Sequence, residues 1–267
     1  MLAECDINQY NLCEFAVNGE LGKLKIICEY LDENGKNTEY NLDIAGTYPG
    51  WPYNNNYPIR WACLYGKIDI VKYLMDKWSH LIDITNDDNY AIRYACRNGH
   101  INLVVYLMEK WSNLIDISAN NNNAICWACI NNNIDIVKYL MENWSHLIDI
   151  TARDNSAIHY ALMNDYINIV KYLIAVSIKK ILDHGIQPYD INKIIILLVD
   201  NDCIYEYYLL INELKKRKFK FNSCEVIEEQ IENKRNLCAQ IECHPGLIGG
   251  NMGKNCEEGL NEVKLLQ

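Results

Sequence analysis

The 267-residue sequence has no long apolar run. The longest purely aliphatic run, Ile194 to Val199, is far shorter than the ~18 apolar residues that a membrane-spanning helix requires. The acidic start at Met1 also lacks the basic and apolar regions of a secretory signal peptide. We therefore expect an intracellular protein that does not bind membranes.

Positive charge is also in short supply. The chain has 25 Lys and Arg against 35 Asp and Glu, a net charge of −10, which argues against general nucleic-acid binding. The exception is a basic cluster from Lys215 to Lys220. It fits either a nuclear-import signal or the solvated end of a helix, and the second interpretation is favoured.

Asn and Ile are heavily used, and a 33-residue repeat accounts for much of the pattern. One eight-residue block recurs at Trp78 to Thr85, Trp111 to Ser118 and Trp144 to Thr151. A second block recurs with the same step from Ile68, Ile101, Ile134 and Ile167. Repeats of this length are typical of solenoid proteins.

Each repeat carries two helical patterns. In one of them Ile134, Val137, Leu140 and Met141 share one apolar face. Asn131 to Asn133 joins it to the preceding helix, and Gly66 and Gly99 stand at this joint in other repeats, so we predict a turn with left-handed φ. Neither helix could bury its apolar face alone. The sequence therefore predicts an all-α solenoid of stacked helix-turn-helix units.

These units resemble the ankyrin repeat. Gly99 to Val104 is similar to the family's Gly-His-Leu-Glu-Ile-Val, and Ser156 to Ala161 is similar to its Thr-Pro-Leu-His-x-Ala. The variant at Tyr90 to Ala95 resembles ankyrin proteins of giant DNA viruses of amoebae. The resemblance implies a viral protein that acts in the cytoplasm of the host.

The repeats depart from the family at several positions. Alanine replaces the proline of the first-helix motif except at Pro58, and Arg60, Arg93 and Cys126 stand where His159 keeps the histidine. Tryptophan replaces the glycine after the second helix, and the next Asp comes about three residues late, at Asp83, Asp116 and Asp149. We therefore expect a longer loop and a shorter hairpin finger between repeats.

Outside the regular repeats the pattern weakens. We predict a diverged N-terminal repeat or cap at 1–44, four ankyrin-like repeats at 45–176, a diverged C-terminal capping repeat at 177–214 and a polar, flexible tail at 215–267. Within the first two segments, Gly35 to Tyr57 is interpreted as an extended loop or insertion.

Three columns of the repeat are candidates for chemistry or packing. Cys63, Cys96 and Cys129, three of the 12 cysteines, fit a small buried packing position better than a metal or redox ladder. Trp78, Trp111 and Trp144 fit either a packing ladder, which we favour, or an exposed aromatic row. Trp61, Tyr94, Trp127 and Tyr160 are expected on or near the concave surface.

The resemblance implies that binding uses variable positions just before the first helix and at its end. With part of the aromatic column, the candidate partner-binding residues are Asn86, Asp87, Asn89, Tyr94, Arg97, Asn98, Asn120, Asn122, Trp127, Ile130, Asn131, Arg153, Asn155, Met163 and Asn164. We predict a non-catalytic, monomeric protein-interaction module without cofactor or metal. The alternative is an adaptor whose repeats bind a target while the tail recruits machinery such as a ubiquitin ligase.

The tail also contains two weaker patterns. Cys224, Cys238, Cys243, His244 and Cys256 are spaced too irregularly for a structural zinc site. Gly249 to Lys254 departs from a phosphate-binding loop at both ends. An enzyme is disfavoured because no nucleophile, base and orienting group can be placed together.

Overall fold

The computed structural model describes residues 7–39, 42–46, 56–149 and 152–184. The chain divides into two compact units, 1–164 and 165–267. Most of the expected C-terminal cap, the whole tail with Lys215 to Lys220 and the tail cysteines lie outside the described residues, so the predicted segment boundaries stay predictions.

Among the described residues, the helices that start at Ile68, Ile101, Ile134 and Ile167 follow the predicted step of 33 residues. The elements are α1 Gln9–Asn18, α2 Leu21–Cys28, β1 Lys36–Asn37, β2 Leu42–Asp43, α3 Tyr57–Leu64, α4 Ile68–Trp78, α5 Asn86–Arg97, α6 Ile101–Trp111, α7 Ala119–Ile130, α8 Ile134–Asn143, α9 Ala152–Met163 and α10 Ile167–His184. We call α1, α3, α5, α7 and α9 the first helices, and α2, α4, α6 and α8 the second helices.

Within residues 1–164 the first helices pack side by side, each on the next. The second helices α2, α4, α6 and α8 pack on the first helix of their own repeat. The same small and aliphatic positions are buried each time, as with Ile92, Ala95 and Cys96 in α5. Each helix thereby buries a face that it could not bury alone, and the predicted all-α solenoid is confirmed.

The joint between the two helices of a repeat adopts the predicted left-handed backbone. Gly66 has φ +66°, Gly99 has φ +78° and Asn132 has φ +58°. At Gly66 there is a second requirement, because a Cβ there would lie 2.6 Å from His100 Nδ1. The imidazole fits against this bare backbone and reaches the carbonyl oxygen of Leu64 with Nε2, 2.9 Å away.

Contacts between second helices include aromatic rings and lysines. Lys25 Nζ of α2 lies 5.2 Å from the ring centre of Tyr73 in α4, and Lys72 Nζ lies 5.5 Å from that of Tyr106 in α6.

In the tryptophan column, Trp78 is buried and meets the Tyr73 ring of its own helix edge-on, with ring centres 6.1 Å apart. Its counterparts Trp111 and Trp144 are half-buried, so packing describes the tryptophan column better than an exposed row.

The connection between α2 and α3 differs from the others. β1 and β2 pair antiparallel there, with Lys36 opposite Asp43, whereas residues 56–149 contain no strand. This agrees with the shorter finger expected from the late Asp column. Among the described residues, no helix is both long and apolar enough to cross a membrane.

The cysteine column is part of the core. Cys63, Cys96 and Cys129 are completely buried and free, as the packing interpretation predicts. Burial also raises the pKa of Cys13 and of Cys28 from 9.0 to about 12 and, by the same cause, that of Tyr90 from 10.0 to about 12, with the Tyr94 neighbour adding to the effect. These groups hold their protons more tightly when the chain is folded.

This burial predicts alkaline instability. A group whose pKa is higher in the folded than in the unfolded state stabilises the fold fully below its unfolded pKa and stops doing so as pH rises through the folded value. The free energy of unfolding should therefore stay level to about pH 8.5 and fall steadily towards pH 12. Urea unfolding in reductant would measure it. Cys28→Ala should show a shallower decline, and a level profile up to pH 11 would rule out this explanation.

Candidate functional site

Buried side-chain amides join each repeat to the next. In the described residues, an amide oxygen at the start of a first helix accepts the backbone N–H of an Asp in the next repeat. The pairs and distances are Gln9 to Asp43 (2.8 Å), Asn56 to Asp83, Asn89 to Asp116 and Asn122 to Asp149 (each 3.1 Å). We call this set the amide ladder. It satisfies backbone donors at the points where repeats meet.

A left-handed turn presents these amides. Asn120, Asn121 and Asn122 all have φ between +55° and +60°, and Asp87, Asp88 and Asn89 are similar one repeat earlier. Asn and Asp tolerate this conformation better than other non-glycine residues. The placement of Asn89 and Asn122 on the binding surface was wrong, because both side chains are buried and belong to the amide ladder.

The late Asp column shapes the loop on the other side of this contact. Asp83 Oδ1 accepts the backbone N–H of Thr85 at 2.9 Å and the Thr85 hydroxyl at 2.7 Å. Asp116 does the same for Ser118. The carboxylate therefore fixes the loop while its own backbone N–H is held by the preceding repeat.

The residues at the family's histidine position make structural contacts, between two first helices at Arg60 and within α5 at Arg93. Buried Arg60 pairs with the Asp87 carboxylate, bonds the side chain of Asn86 and lies 4.0 Å from the Tyr90 ring centre. Arg93 instead donates to the carbonyl oxygens of Asp87 and Asp88, both at 2.7 Å. Two predicted binding residues, Asn86 and Asp87, are thus partly used to hold the repeats together.

Cys126, in the same position one repeat later, has its thiol 3.2 Å from the hydroxyl of Ser156. This contact also runs from a first helix to the start of the next. At the family's histidine position, arginine and cysteine therefore both have the structural role that we expected there.

An aromatic row runs along the first helices. Trp61 stacks between Tyr57 (5.0 Å) and Tyr65 (5.7 Å), and the Tyr90 and Tyr94 ring centres are 3.8 Å apart. Tyr94 then meets Trp127 of the next repeat edge-on at 4.7 Å. Trp61, Tyr94, Trp127 and Tyr160 are all half-buried. These rings contribute both to repeat stacking and to the surface.

The ends of the first helices provide a second row beside the aromatic one. Its members, the last residues of α3, α5, α7 and α9, are Leu64, Arg97, Ile130 and Met163. Leu64 and Ile130 are half-exposed, whereas Arg97 is exposed and Met163 is 66 % exposed. We call this set the helix-end row. Unlike the buried columns, it changes character from repeat to repeat.

Asparagines follow the helix-end row and are used by the backbone. Asn98 donates to the Leu64 carbonyl at 2.7 Å, in the preceding repeat. Asn131 and Asn164 donate to carbonyls of their own helices, Trp127 and Tyr160. All three are exposed, so their outer edges remain part of the surface.

The predicted surface residues are thus brought together only in part. Tyr94, Arg97, Trp127, Ile130 and Met163 lie along one side of the first helices, and Asn120 is exposed in its left-handed turn. The side chains of Arg153 and Asn155 lie outside the described residues.

Two contributions to this surface were missed from the sequence. Tyr65, 46 % exposed, precedes the regular turn and extends the aromatic row, and helical spacing from Trp61 by four residues could have indicated it. The ring of Tyr90 also lies against the guanidinium of Arg60 from the preceding repeat, a contact that no pattern within one repeat shows. We call Leu64, Tyr65, Tyr94, Arg97, Trp127, Ile130 and Met163 the first-helix face.

The described residues contain no group of three or more His, Cys, Asp or Glu side chains arranged to hold a metal ion. The site consists of aromatic rings, an exposed guanidinium, aliphatic side chains and amides along several repeats. Such a surface can bind another molecule through many small contacts.

Comparison with protein families agrees with the geometry. A family model for ankyrin repeats, built of three copies, matches residues 5–121 and 112–184. No curated protein matches the chain. The matched ranges contain every described helix and cover more than half of the sequence. The chain belongs to the ankyrin-repeat family.

Proposed function

We propose that this chain is a non-catalytic module that binds a partner protein through the first-helix face. Ankyrin repeats generally mediate protein–protein interaction and are generally non-catalytic scaffolds. The observation that carries the proposal is the contrast between columns. The buried position holds cysteine at 63, 96 and 129, whereas the helix-end row reads Leu, Arg, Ile and Met.

The composition of the face supports the same function. Tyrosine, tryptophan and arginine contribute the largest energies in protein interfaces, and all three types meet at Tyr94, Trp127 and Arg97. Their mutual contacts hold the rings in place before a partner arrives, which lowers the entropic cost of binding.

Several polar groups near the face are already engaged, which disfavours catalysis. Asn98 holds a carbonyl of the preceding repeat, and Asp87 holds Arg60. The thiols of Cys96 and Cys129 are buried, and burial holds their pKa well above the ordinary value. These thiols are therefore poor nucleophiles.

The test compares two double variants with matched changes of charge. Arg97→Glu with Met163→Glu alters the first-helix face. Lys110→Glu with Leu114→Glu alters exposed positions at the end of α6 and in the loop after it. Tyr94 is left intact because it also stacks between repeats. Affinity purification from the native cell, followed by mass spectrometry, would use the full chain in each form.

We expect a protein that is recovered with the wild type and with the control variant but is lost with the face variant, while the helical circular dichroism of all three stays equal. Loss with the control but not with the face variant would contradict the proposal. Equal recovery with all three would contradict it as well.

We further propose a monomer in the host cytoplasm that does not bind nucleic acid generally. The acidic charge balance supports the last of these, and the viral origin implied by a host rests on the sequence of Tyr90 to Ala95 alone. Recruitment of other machinery by 215–267 and nuclear import through Lys215 to Lys220 are alternatives that rest on sequence outside the described residues.

A further inference from the structure

We infer that the partner presents an extended segment to the helix-end row, with an acidic side chain at Arg97 and apolar side chains facing Leu64, Ile130 and Met163. The inference rests on the proposed function and specifies the partner's chemistry. The partner segment should then contain an acidic residue with apolar residues on both sides of it, spaced three residues apart.

The interval follows from the spacing of the repeats. The row contributes one side chain per repeat, from the last residue of each of α3, α5, α7 and α9. Neighbouring packed helices are roughly 8–10 Å apart. An extended chain advances about 3.3 Å per residue, so three residues of a bound segment span about one repeat.

The acidic position follows from the state of Arg97. Its guanidinium carbon lies 5.5 Å from the Tyr94 ring centre and 5.2 Å from that of Trp127. No carboxylate within the described part of the chain pairs with it. A guanidinium that rests on aromatic rings keeps its N–H edge available for a carboxylate in a fork geometry.

The other arginines of this surface are already engaged. Arg60 is buried and paired with Asp87, and Arg93 is buried and donates to two backbone carbonyls. A partner carboxylate would therefore meet Arg97 rather than Arg60 or Arg93. The negative charge of such a carboxylate complements the positive charge of Arg97, although the chain as a whole is acidic, with a net charge of −10.

The backbone carbonyls at the ends of α3 and α5 are not available to the segment. The Leu64 carbonyl accepts from Asn98 and is contacted by His100, and the carbonyls of Cys96 and Arg97 accept from Asn133 at 2.9 and 2.8 Å. These donors also offset the negative charge that a helix end would direct at a carboxylate. Recognition therefore depends on side chains, which favours a sequence-specific segment.

Ile130 and Met163 determine where the partner segment should carry apolar side chains. Both follow Arg97 at successive steps of one repeat, and neither is a buried core residue. Leu64 lies one repeat before Arg97. Along the row the order is therefore apolar, cationic, apolar, apolar, which a bound chain can match in either direction.

The test is a selection of random twelve-residue peptides, displayed on phage, against the immobilised full-length protein. Wild type and Lys110→Glu should both enrich an acidic residue flanked by apolar residues at three-residue intervals. Arg97→Ala should lose the acidic preference, and Arg97→Glu should replace it with Lys or Arg. A synthetic peptide from the wild-type selection should bind Arg97→Glu at least tenfold more weakly, with circular dichroism showing that each variant is folded.

The inference is overturned if the enriched peptides keep their acidic residue on Arg97→Glu, if the apolar interval is absent or if no peptide is enriched. In each of these cases the affinity purification still decides the proposed function independently. A partner that depends on the first-helix face but yields no peptide motif is recognised through a folded surface.

Discussion

Asn122→Ala is expected to lower the free energy of unfolding by about 2–4 kcal/mol. The change removes the acceptor for the part-buried backbone N–H of Asp149, and the loss of this hydrogen bond costs about 1–3 kcal/mol. It also places alanine at φ +60°, where a residue other than Gly, Asn or Asp costs about 1 kcal/mol or more.

Asn121 provides the matched control. It is the same residue type in the same left-handed turn, with φ +56°, but it is exposed and outside the amide ladder. Asn121→Ala should therefore cost only about 1 kcal/mol, from the backbone conformation alone. Urea unfolding followed by circular dichroism measures both. Equal losses for the two variants would mean that the ladder contributes nothing.

Gly66→Ala is expected to destabilise the fold by about 2–3 kcal/mol. Alanine at φ +66° is strained, and its Cβ would lie 2.6 Å from the His100 ring. The ring would have to move away from the Leu64 carbonyl, with the loss of a contact worth about 1 kcal/mol. The effect should appear as a loss of coupling between the repeats of α3 and α5.

Gly22→Ala should have the opposite sign. Gly22 is an exposed residue within α2, with no atom within 4 Å of an added Cβ. Alanine is the better helix former by about 0.5–1 kcal/mol, so this variant should be more stable than the wild type. A stable Gly66→Ala protein, or an unstable Gly22→Ala protein, would show that the contacts at these glycines are not as described.

Much of the fold could be predicted because core and turn positions hold the same types of residue in successive repeats. The helices of the regular repeats start in step with Ile68, Ile101, Ile134 and Ile167, and the left-handed joint at Gly66 and Gly99 follows from residue type. The burial of the cysteine column follows in the same way, since a small apolar residue kept at each step marks a core position. Comparison within one chain therefore separates much of the core from the surface.

The site was harder to predict because exposure of a polar residue depends on the neighbouring repeat. Asn89 and Asn120 are both asparagines in the variable segment at the start of a first helix, yet Asn89 is buried in the amide ladder and Asn120 is exposed. The difference is set by the backbone of the turn, which decides which amide meets the Asp of the next repeat. Residue type alone does not contain that information.

The same limit applies to the arginines. Arg60 and Arg97 are equally charged in the sequence, but Arg60 is buried against Asp87 of the following repeat, whereas Arg97 remains exposed on two rings. Contacts between repeats therefore determine which arginine is exposed.

The central claim, binding through the first-helix face, is tested most directly by the dissociation constant of the recovered partner for the full chain in its three forms. We expect the Arg97→Glu, Met163→Glu variant to bind at least tenfold more weakly than the wild type, and the Lys110→Glu, Leu114→Glu control to bind within about twofold of it, since single rim charges contribute little. Equal affinities for all three forms, or a loss confined to the control, would contradict the claim.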